Sequence, residues 1–584
     1  MSRAGPTSKD SRPPRLRLRS AATALGVTLA FLIVGAQLVR LAVRGQQELT
    51  TTMSQPVATS FARPDIVDRN GRLLATDLEV PSLYADPGLV LDRDEVAEKL
   101  GHLLTELDET EVRRQLADRS RRFVWLRRGL PPGLAQAVHD LGLPGLGFRR
   151  ELKRVYPAGG LAGHALGTVN VDNKALAGLE RYLDEVVGVE AVHGATLSDR
   201  APLRTSLDLG VQHSLDDELR AAMRRYGAKG ATGLVLDVET GEILAAQSLP
   251  GADPARAAES VDPARPDKLM GGVYELGSIM KMVTVAMALD GGRVKTDSVL
   301  DVREPLTAGR FTIRDPHPAG RPLTVSEIFI RSSNVGAGML ALEAGADHQK
   351  AFLTRLGLTA GMKTEAGPVA VPLVPDRWDR AETITISYGH GVAVSPLQFA
   401  AAAAALVNGG SRVQPTFLKQ SKGGKQQPSS PNSQLISTET SRAMRALMRL
   451  NVTDPHGTGR RADAPGYRVG GKTGTAELPD RGGYKQTAVI SSFLAAFPMD
   501  APRYVALVML FEPKPVAETR GQVAAGANAA PTAGRLIARI APMLGVLPQG
   551  AAQPLESSEE TGEQGVAAEA ATNGRFDGGG DAKY

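Results

Sequence analysis

The sequence predicts a single-span membrane protein in which an α+β domain is followed by a second folded domain of mixed helices and strands. Three observations predict this organisation. The chain of 584 residues is longer than one compact core accommodates. A charge-free apolar run stands near its beginning. The pattern of hydrophobic and charged residues changes near Leu203, where strand-like runs and alanine-rich stretches replace charged amphipathic stretches.

The N-terminal region has the pattern of a membrane anchor. Residues 1–20 hold six basic residues and one acidic residue, and they precede the apolar run Ala21–Val39. As a helix rising about 1.5 Å per residue, this run just spans a bilayer. We predict an uncleaved transmembrane anchor over residues 21–43 and a basic cytoplasmic tail over residues 1–20, with everything after Arg44 outside.

A cleaved signal peptide is the alternative interpretation of this N-terminal region. The apolar core of a signal peptide is normally shorter, and no small-x-small cleavage site precedes Arg40 and Arg44. The sequence therefore favours the anchor. No comparable apolar run recurs, which predicts a bitopic protein.

The first folded domain is predicted over residues 44–204. Short strand-like runs such as PSLYADP alternate with amphipathic stretches such as DRDEVAEKLGHLLTEL, which indicates an α+β module. The charged clusters SRRFVWLRR and GFRRELKR are interpreted as solvated faces. The region offers no chemical groups in a recognisable spacing, so it is predicted to be a non-catalytic pedestal.

The second folded domain is predicted over residues 205–547. It opens with two strands, Thr232–Val238 and Glu242–Gln247, joined by turn residues. Alanine-rich stretches such as MVTVAMALD and SPLQFAAAAAALVNG predict helices, and RYVALVMLFE predicts a late strand. An amphipathic helix is expected near Ala533–Leu544. Residues 548–584 contain almost no large apolar side chain and are predicted to be a disordered tail.

Composition excludes several classes of function. The chain has 68 basic and 63 acidic residues, so its small net charge gives no reason to propose a nucleic-acid partner. It has no cysteine, which excludes disulfides, thiolate metal sites and a cysteine nucleophile. His390 and His456 stand apart from any ligand cluster and are interpreted as loop or core histidines, so no metal and no cofactor are predicted. Asp65 and Asp68 are interpreted as turn formers.

Three short motifs in the second domain carry the candidate chemistry. Ser278 and Lys281 stand three residues apart at a helix start, Ser332-Ser333-Asn334 follows some fifty residues later, and Lys472-Thr473-Gly474-Thr475 comes after a strand-like run. Each motif alone is weak, since such residues also form caps and turns. In this order and spacing they form the set of a penicillin-recognising serine acyl-enzyme.

On these motifs the chain resembles the class B penicillin-binding proteins, the family that crosslinks peptidoglycan. The signature motifs of its pedestal, or dimerisation, domain are similar to RPDIVDRNGRLLATD, YPAGGLAGHALG and GLERYLD. GSIMK, SSNVG, GKTGTAE and SSFLAAFP are similar to its transpeptidase core, and YELGS and GYRVGGKTGT to its septal, cell-division type. The resemblance implies an α/β, serine β-lactamase-like second domain with a central antiparallel sheet and flanking helices.

The resemblance also implies a reaction. Ser278 would attack the penultimate D-alanine carbonyl of a stem peptide and expel the terminal D-alanine, and an amine of a second stem peptide would resolve the acyl-enzyme. β-Lactams would trap the same serine. The implied partners are peptidoglycan stem peptides, a membrane glycan polymerase, other divisome proteins and the bacterial inner membrane, with the catalytic domain in the periplasm.

Physical chemistry gives each residue a predicted role. A serine hydroxyl needs an adjacent base, and Lys281 lies within reach on the same helical face. Burial beside Ile279 and Met280, together with the charge of Lys472, is predicted to lower the pKa of Lys281 so that a neutral amine takes the proton.

The remaining motif residues are predicted to bind and orient the substrate. The backbone N–H groups of Ser278 and Thr475 are the predicted oxyanion donors. Lys472, Thr473 and Thr475 suit a substrate carboxylate, and Gly474 lets the substrate backbone approach. Ser332 and Asn334 are predicted to pass protons to the leaving amine and to hold a peptide amide.

Other functions remain as alternatives. An elongation-type transpeptidase shares the same motifs, and a non-catalytic β-lactam sensor or structural divisome subunit would keep only the fold. A β-lactamase is disfavoured because no Glu-x-x-Leu-Asn loop is apparent between Asn334 and Lys472. A bifunctional glycosyltransferase is disfavoured because the region before Arg204 lacks a Glu-Asp-x-x-Phe type stretch.

Overall fold

The computed structural model describes residues 22, 25–37, 40, 63–188, 201–308, 311–420, 433–480 and 483–549. The predicted cytoplasmic tail and all but the first two residues of the predicted C-terminal tail lie outside these ranges. Within the predicted anchor, residues 25–37 are helical. In the described ranges, no helix combines the length and apolarity that crossing a membrane requires.

The pedestal is an α+β domain built on one sheet. The long strand β2 is central, and β1, β3 and β4 each pair antiparallel with it. Strand β5 pairs parallel with β1. The strands are β1 Ile66–Val67, β2 Leu73–Ala85, β3 Val124–Arg127, β4 Leu146–Val155 and β5 Leu203–Arg204. The helices are α1 Arg93–Leu103, α2 Glu109–Ala117, α3 Pro132–Asp140, α4 Gly163–Leu166 and α5 Gly178–Tyr182.

Helices α1 and α2 follow from their sequences. The Asp92 side chain accepts from the N–H groups of Asp94 and Glu95, and Asp108 caps α2 in the same way. Such caps satisfy N–H groups that have no partner within the helix. The predicted helix in DRDEVAEKLGHLLTEL is therefore confirmed.

The interior of the pedestal holds a cluster of fully buried ion pairs. The Arg63 Nε lies 2.9 Å from Glu180, and the Arg154 Nε lies 2.7 Å from the other oxygen of the same carboxylate. Asp77 accepts from Arg154 at 3.2 Å and from the backbone N–H of Arg63 at 2.7 Å. Arg154 belongs to GFRRELKR, so the prediction that this whole cluster is a solvated face is wrong. Its guanidinium is buried because two acidic side chains from distant segments pair with it.

The second domain is built on the five-stranded antiparallel sheet β14-β15-β16-β6-β7. Its longer strands are β6 Gly230–Asp237, β7 Ile243–Leu249, β14 Gly470–Asp480, β15 Gly483–Phe497 and β16 Tyr504–Phe511. Short pairs outside this sheet are β8 Val299–Leu300 with β11 Leu323–Thr324, β9 Leu306–Ala308 with β10 Phe311–Ile313, and β12 Lys363–Thr364 with β13 Gly367–Pro368. The predicted opening strands and the late strand RYVALVMLFE are confirmed.

Helices cover both faces of this sheet. Alternate residues of β6 enter different cores: Leu234 and Leu236 pack on one face, Ala231 and Val235 on the other. The helices are α6 Leu209–Tyr226, α7 Lys281–Asp290, α8 Val325–Arg331, α9 Asn334–Ala344, α10 Ala346–Arg355, α11 Arg380–Ser387, α12 Pro396–Val407, α13 Thr438–Thr453 and α14 Ala529–Met543. Helices α6 and α14 pack against one core, and α7 and α12 against the other.

A turn with a buried aspartate, Asp68, joins the pedestal to the second domain. The Asp68 carboxylate accepts from the N–H groups of Asn70 at 2.8 Å and Arg72 at 2.9 Å. Its second oxygen accepts from the N–H of Leu209, the first residue of α6, at 3.2 Å. Asp68 is therefore a turn former, as predicted, and the same side chain fixes the start of a helix in the next domain.

Candidate active site

Ser278 lies in a tight turn that leads directly into α7. Residues Gly277–Met280 form a 3-10 turn, and the α-helix begins at Lys281. Ile279 and Met280 are buried and turn into the core, as predicted. Gly277 has a φ of +57°, and a Cβ there would stand 2.5 Å from the carbonyl oxygen of Thr475. The turn therefore needs a glycine before the serine.

Backbone also closes around this turn from other segments. A Cβ on Gly389, where φ is +94°, would stand 2.0 Å from the carbonyl oxygen of Gly277. A Cβ on Gly474 would stand 2.6 Å from the carbonyl oxygen of Leu276. Three glycines thus let main chain pack directly against the nucleophile turn.

The Lys281 amine occupies the centre of the candidate site. It is fully buried, and four oxygens surround its Nζ: Ser332 O at 2.6 Å, Asn334 Oδ1 at 2.7 Å, and the hydroxyls of Ser278 and Ser332 at 3.1 Å each. The two shortest contacts are to carbonyl oxygens, which only accept. A neutral amine has two N–H bonds and one lone pair, so both hydrogens go to these carbonyls and the lone pair is left facing the serine hydroxyls.

The electrostatics favour this neutral amine. Burial lowers the pKa of Lys281 well below its usual value, the charge of Lys472 lowers it further, and Asp315 raises it. The predicted direction and both predicted causes are confirmed. Burial also lowers the pKa of Lys472 to about 7. The hydroxyl of Ser332 lies between the two amines, 3.1 Å from Lys281 and 3.0 Å from Lys472.

A carboxylate from a neighbouring loop holds the Ser332-Ser333-Asn334 turn in place. The Asp315 carboxylate accepts from the N–H groups of Asn334 at 2.5 Å and Val335 at 2.9 Å, and from the Ser333 hydroxyl at 2.6 Å. Ser332 has the left-handed conformation, with φ of 61°. This strained residue is held between the end of α8 and the capped start of α9, which fixes its hydroxyl between the lysines.

Strand β14 brings Lys472 to Thr475 along the site. Alternation along the strand points Lys472 into the interior and leaves Thr473 and Thr475 in the wall of the cleft. The Thr473 hydroxyl donates to the Thr458 hydroxyl at 2.7 Å. The Thr475 hydroxyl oxygen accepts from the backbone N–H of Ala525 at 3.1 Å, so its own proton is available to a ligand.

These residues line one cavity of about 400 Å³. Ser278, Ser332, Asn334, Thr473 and Thr475 reach its wall, while Lys281, Lys472 and Gly474 lie behind it. The structure therefore brings all the predicted site residues together, but the buried Lys472 amine contacts Ser332 rather than the open cavity.

Sequence reasoning missed several residues of this wall, namely Asp315, His317, Arg331, Tyr388, His390 and Thr458. His390 was predicted to be a loop or core histidine. Its Nδ1 lies 3.2 Å from Glu275, and its ring meets that of Tyr388 edge-on at 5.5 Å. Its neighbour Gly389 touches the nucleophile turn, and this contact between distant segments has no sequence signal. In the described ranges, no three acidic or histidine side chains cluster closely enough to hold a metal ion.

The arrangement suits acyl transfer. A serine hydroxyl beside an uncharged amine is an activated nucleophile. The Ser332 hydroxyl, which lies within hydrogen-bond distance of Lys281 and Lys472, connects the Lys281 amine to the open cavity, where a leaving group would need a proton.

The fold and the motifs define the class of this protein. Residues 231–538 match the penicillin binding protein transpeptidase domain, and residues 59–193 match the penicillin-binding protein dimerisation domain. The chain belongs to the class B penicillin-binding proteins, as the motifs predicted.

Two relatives cover most of the chain. The probable peptidoglycan D,D-transpeptidase FtsI of Caulobacter vibrioides is 41% identical over 492 residues, which is 83% of this chain and 82% of that protein. The probable peptidoglycan D,D-transpeptidase PenA of Neisseria gonorrhoeae is 32% identical over 494 residues, which is 80% of this chain and 82% of that protein.

Two solved structures have the same fold. Penicillin binding protein 3 of Mycobacterium tuberculosis, complexed with aztreonam, gives a TM-score of 0.63 at 25% identity, over 84% of this chain and 97% of that one. Penicillin binding protein 2X of Streptococcus thermophilus gives 0.65 at 22% identity, over 83% of this chain and 80% of that one.

Proposed function

We propose that this chain is a peptidoglycan D,D-transpeptidase that crosslinks stem peptides during septum formation and is inhibited by β-lactams. The observation that carries the proposal is the Lys281 amine, buried beside a second lysine and 3.1 Å from the Ser278 hydroxyl. That geometry turns a serine into a nucleophile without a histidine or a metal ligand. The transpeptidase domain match and the names of the relatives supply the substrate class.

The proposed first half-reaction forms an ester on Ser278. The Ser278 oxygen bonds to the penultimate D-alanine carbonyl carbon while its proton passes to Lys281. The tetrahedral oxyanion lies at the backbone N–H groups of Ser278 and Thr475. The amide bond then breaks, and the terminal D-alanine nitrogen takes a proton through the Ser332 hydroxyl. In the second half-reaction an acceptor amine attacks the ester, loses its proton by the same route, and returns Ser278 as a hydroxyl.

Covalent labelling tests the acyl-enzyme. The full-length chain, solubilised in detergent, should bind a fluorescent penicillin covalently, and Ser278→Ala should abolish the label while retaining the unfolding temperature of the wild type. Incubation with lipid-linked glycan strands should then give crosslinked stem peptides. Labelling without crosslinking would favour the non-catalytic β-lactam sensor. If Ser278→Ala were labelled at the wild-type rate, Ser278 would be excluded as the nucleophile.

The septal role is favoured over an elongation role by the FtsI relative, at 41% identity over most of both chains. A functional fluorescent fusion in growing cells tests this part of the proposal. A band at the division site supports septal use, whereas signal along the lateral wall supports the elongation-type alternative.

We also propose that the chain spans the bacterial inner membrane once through residues 21–43, with the catalytic domain in the periplasm. The absence of native cysteine permits a direct test. Single-cysteine variants Ser8→Cys and Leu91→Cys, the latter at a side chain 78% exposed in the pedestal, are treated in spheroplasts with a membrane-impermeant maleimide. Only Leu91→Cys should react before lysis. The opposite pattern would invert the proposed topology.

A membrane glycan polymerase is the proposed partner, because the chain has a crosslinking site and no recognisable polymerase motif. Gly26 and Gly35 lie in the helical stretch 25–37, and a Cβ added to either meets no atom within 4 Å. Small residues let helices approach closely in membranes. Photocrosslinkers at these two positions should capture the polymerase, with Val34, which lies about 90° from both glycines around the helix, as the comparison position. Equal capture from all three positions would contradict a contact through the glycines.

A further inference from the structure

The wall of the cavity contains a hydroxyl chain that begins at Thr473 and runs away from the ligand space. Thr473 Oγ1 lies 2.7 Å from Thr458 Oγ1, which in turn lies 3.1 Å from Asn451 Oδ1. The backbone N–H of Thr458 also donates to Asn451 Oδ1 at 3.1 Å. Asn451 is completely buried on α13, so its carbonyl is a fixed end point for the chain.

The direction of this chain follows from its fixed end. Asn451 Nδ2 donates to the carbonyl oxygen of Gly471 at 2.8 Å, which sets the orientation of the amide. Its Oδ1 therefore faces Thr458 and only accepts, so the Thr458 hydroxyl donates to it. Thr458 then accepts from Thr473. The Thr473 proton points away from the cavity, while the Thr475 proton remains available to a ligand.

A carboxylate entering the cavity is a stronger acceptor than a neutral hydroxyl. The Thr473 proton then turns to the ligand, and its oxygen is left in need of a donor. The Thr458 hydroxyl lies at hydrogen-bond distance and supplies that donor by rotating from Asn451 to Thr473. Asn451 still accepts from the Thr458 backbone N–H, so its carbonyl is not left bare. A hydrogen bond donated to the Thr473 oxygen also polarises the Thr473 O–H bond towards the carboxylate.

We propose that Thr458 is a positioning residue that sets the recognition of the donor-substrate carboxylate through Thr473. It touches neither the nucleophile nor the scissile bond. Because Thr458 also holds the end of α8 through its N–H bond to Ile330 O at 3.3 Å, its backbone place is fixed whatever its side chain. The inference rests on the proposed function, since it assumes that the cavity binds a peptide or β-lactam carboxylate.

The test compares benzylpenicillin with its methyl ester, which lacks the negative carboxylate. Acylation rate constants of the full-length chain are measured for both compounds by competition with a fluorescent penicillin. The readout is the ratio of the two rate constants, acid over ester. Thr458→Val should lower this ratio about fivefold, the order expected for losing one hydrogen bond between neutral groups. Thr458→Ser, which keeps the hydroxyl, should restore it.

Matched variants separate positioning from general damage. Thr458→Ala removes the hydroxyl without a branched side chain and should lower the ratio as Thr458→Val does. Thr453→Val removes an exposed hydroxyl from the helix that carries Asn451 and should leave the ratio unchanged. A structural role alone would slow acylation by both compounds equally.

An unchanged or increased ratio in Thr458→Val and Thr458→Ala, or an equal fall in Thr458→Ser or Thr453→Val, overturns the role of Thr458. If the wild type is not acylated at all, the proposed function fails and this inference falls with it. If the wild type is acylated and the ratio does not respond, the inference alone is wrong.

Discussion

Among the residues that the structure describes, the pedestal buries two arginines and the transpeptidase domain buries two lysines, and the two domains accommodate these basic side chains in opposite ways. In the pedestal, Arg63 and Arg154 share the Glu180 carboxylate, and Asp77 completes the cluster. Burial opposes the charge of Arg154, but Glu180 and Asp77 outweigh burial and raise its pKa. In the catalytic domain, Lys281 and Lys472 contact hydroxyl and carbonyl oxygens, and the pKa of each is lowered.

In each domain the type of buried basic residue matches the way its charge is accommodated. A guanidinium does not deprotonate in proteins, so a buried arginine requires carboxylates and becomes a permanent structural link. A lysine relieves the cost of burial by releasing its proton, and the product is an amine with a lone pair. The buried charges of the pedestal therefore link distant segments, whereas the buried lysines of the transpeptidase domain can exist as neutral amines.

We expect the greatest loss of activity when the transpeptidase domain receives a cation of the pedestal type. Lys281→Arg replaces the neutral amine with a permanent cation and so removes the titratable base. Acylation by a penicillin should fall by about 10² to 10⁴, the range typical of losing a general base. Stopped-flow or competition labelling measures the rate, and Lys295→Arg at an exposed site is the control. A rate near that of the wild type would exclude Lys281 as the base.

The second effect comes from breaking the pedestal cluster. Glu180→Gln removes the negative charge that two buried guanidinium groups share. This loss should lower the free energy of unfolding by about 3 to 5 kcal/mol. Hydrogen exchange of β2 and β4, with denaturant unfolding of the full-length chain, reports the loss. Penicillin acylation of the folded fraction should keep its wild-type rate.

The control for the pedestal cluster is Glu79→Gln. Glu79 makes an exposed ion pair with Arg150 at 3.3 Å, and such pairs add little to stability. Equal destabilisation by Glu180→Gln and Glu79→Gln would mean that burial does not distinguish the two ion pairs.

The third prediction concerns the dependence of stability on pH. Between about pH 7 and pH 9, an unfolded lysine is protonated while the folded Lys472 amine, with its pKa of about 7, loses its proton. The unfolded state binds more protons, so this group makes the unfolding free energy rise with pH, by at most about 1.4 kcal/mol per pH unit. Lys472→Met should remove this contribution and flatten the curve.

Denaturant titrations at several pH values measure that slope. Lys295→Met, which removes an exposed lysine, should leave the slope as in the wild type. A slope that Lys472→Met does not change would show that the folded protein keeps Lys472 charged.

The weakest effect is expected from changing Asp315, a carboxylate whose charge acts on Lys281. Asp315 raises the pKa of Lys281, so Asp315→Asn should lower it further. The acidic limb of the profile of penicillin acylation against pH should then move to lower pH. Asp301→Asn, an exposed change in the same region of the chain, should not move it. A shift to higher pH would contradict the electrostatic role of Asp315.

The sequence predicted the parts of the site that depend on short spacing. Ser278 and Lys281 meet because three residues make about one helical turn, and strand alternation separates Lys472 from Thr473. The neutral state of Lys281 was predictable from its apolar neighbours and from the motif that brings Lys472. Predicted elements such as α12 and β16 were confirmed because one is a long alanine-rich run and the other is a short continuous apolar run, and these patterns favour a buried helix and a buried strand.

The rest depends on contacts between distant segments. Asp315 and His390 stand on loops with no periodic pattern, and only the folded chain brings them to the cavity. The same is true of Arg154, whose partners Asp77 and Glu180 are 77 and 26 residues away in sequence. A charged cluster on a strand resembles a solvated face until its partners are located.

The glycines around the nucleophile turn also limit how the protein could escape an inhibitor. Gly277, Gly389 and Gly474 face main-chain atoms that cannot move aside, so a side chain at any of them would displace the serine itself. Drug resistance through these positions would therefore cost the enzyme its own reaction. Mutations that exclude a bulky drug yet spare a slender peptide should instead arise where the wall is made of side chains, at Arg331, Tyr388 or His390.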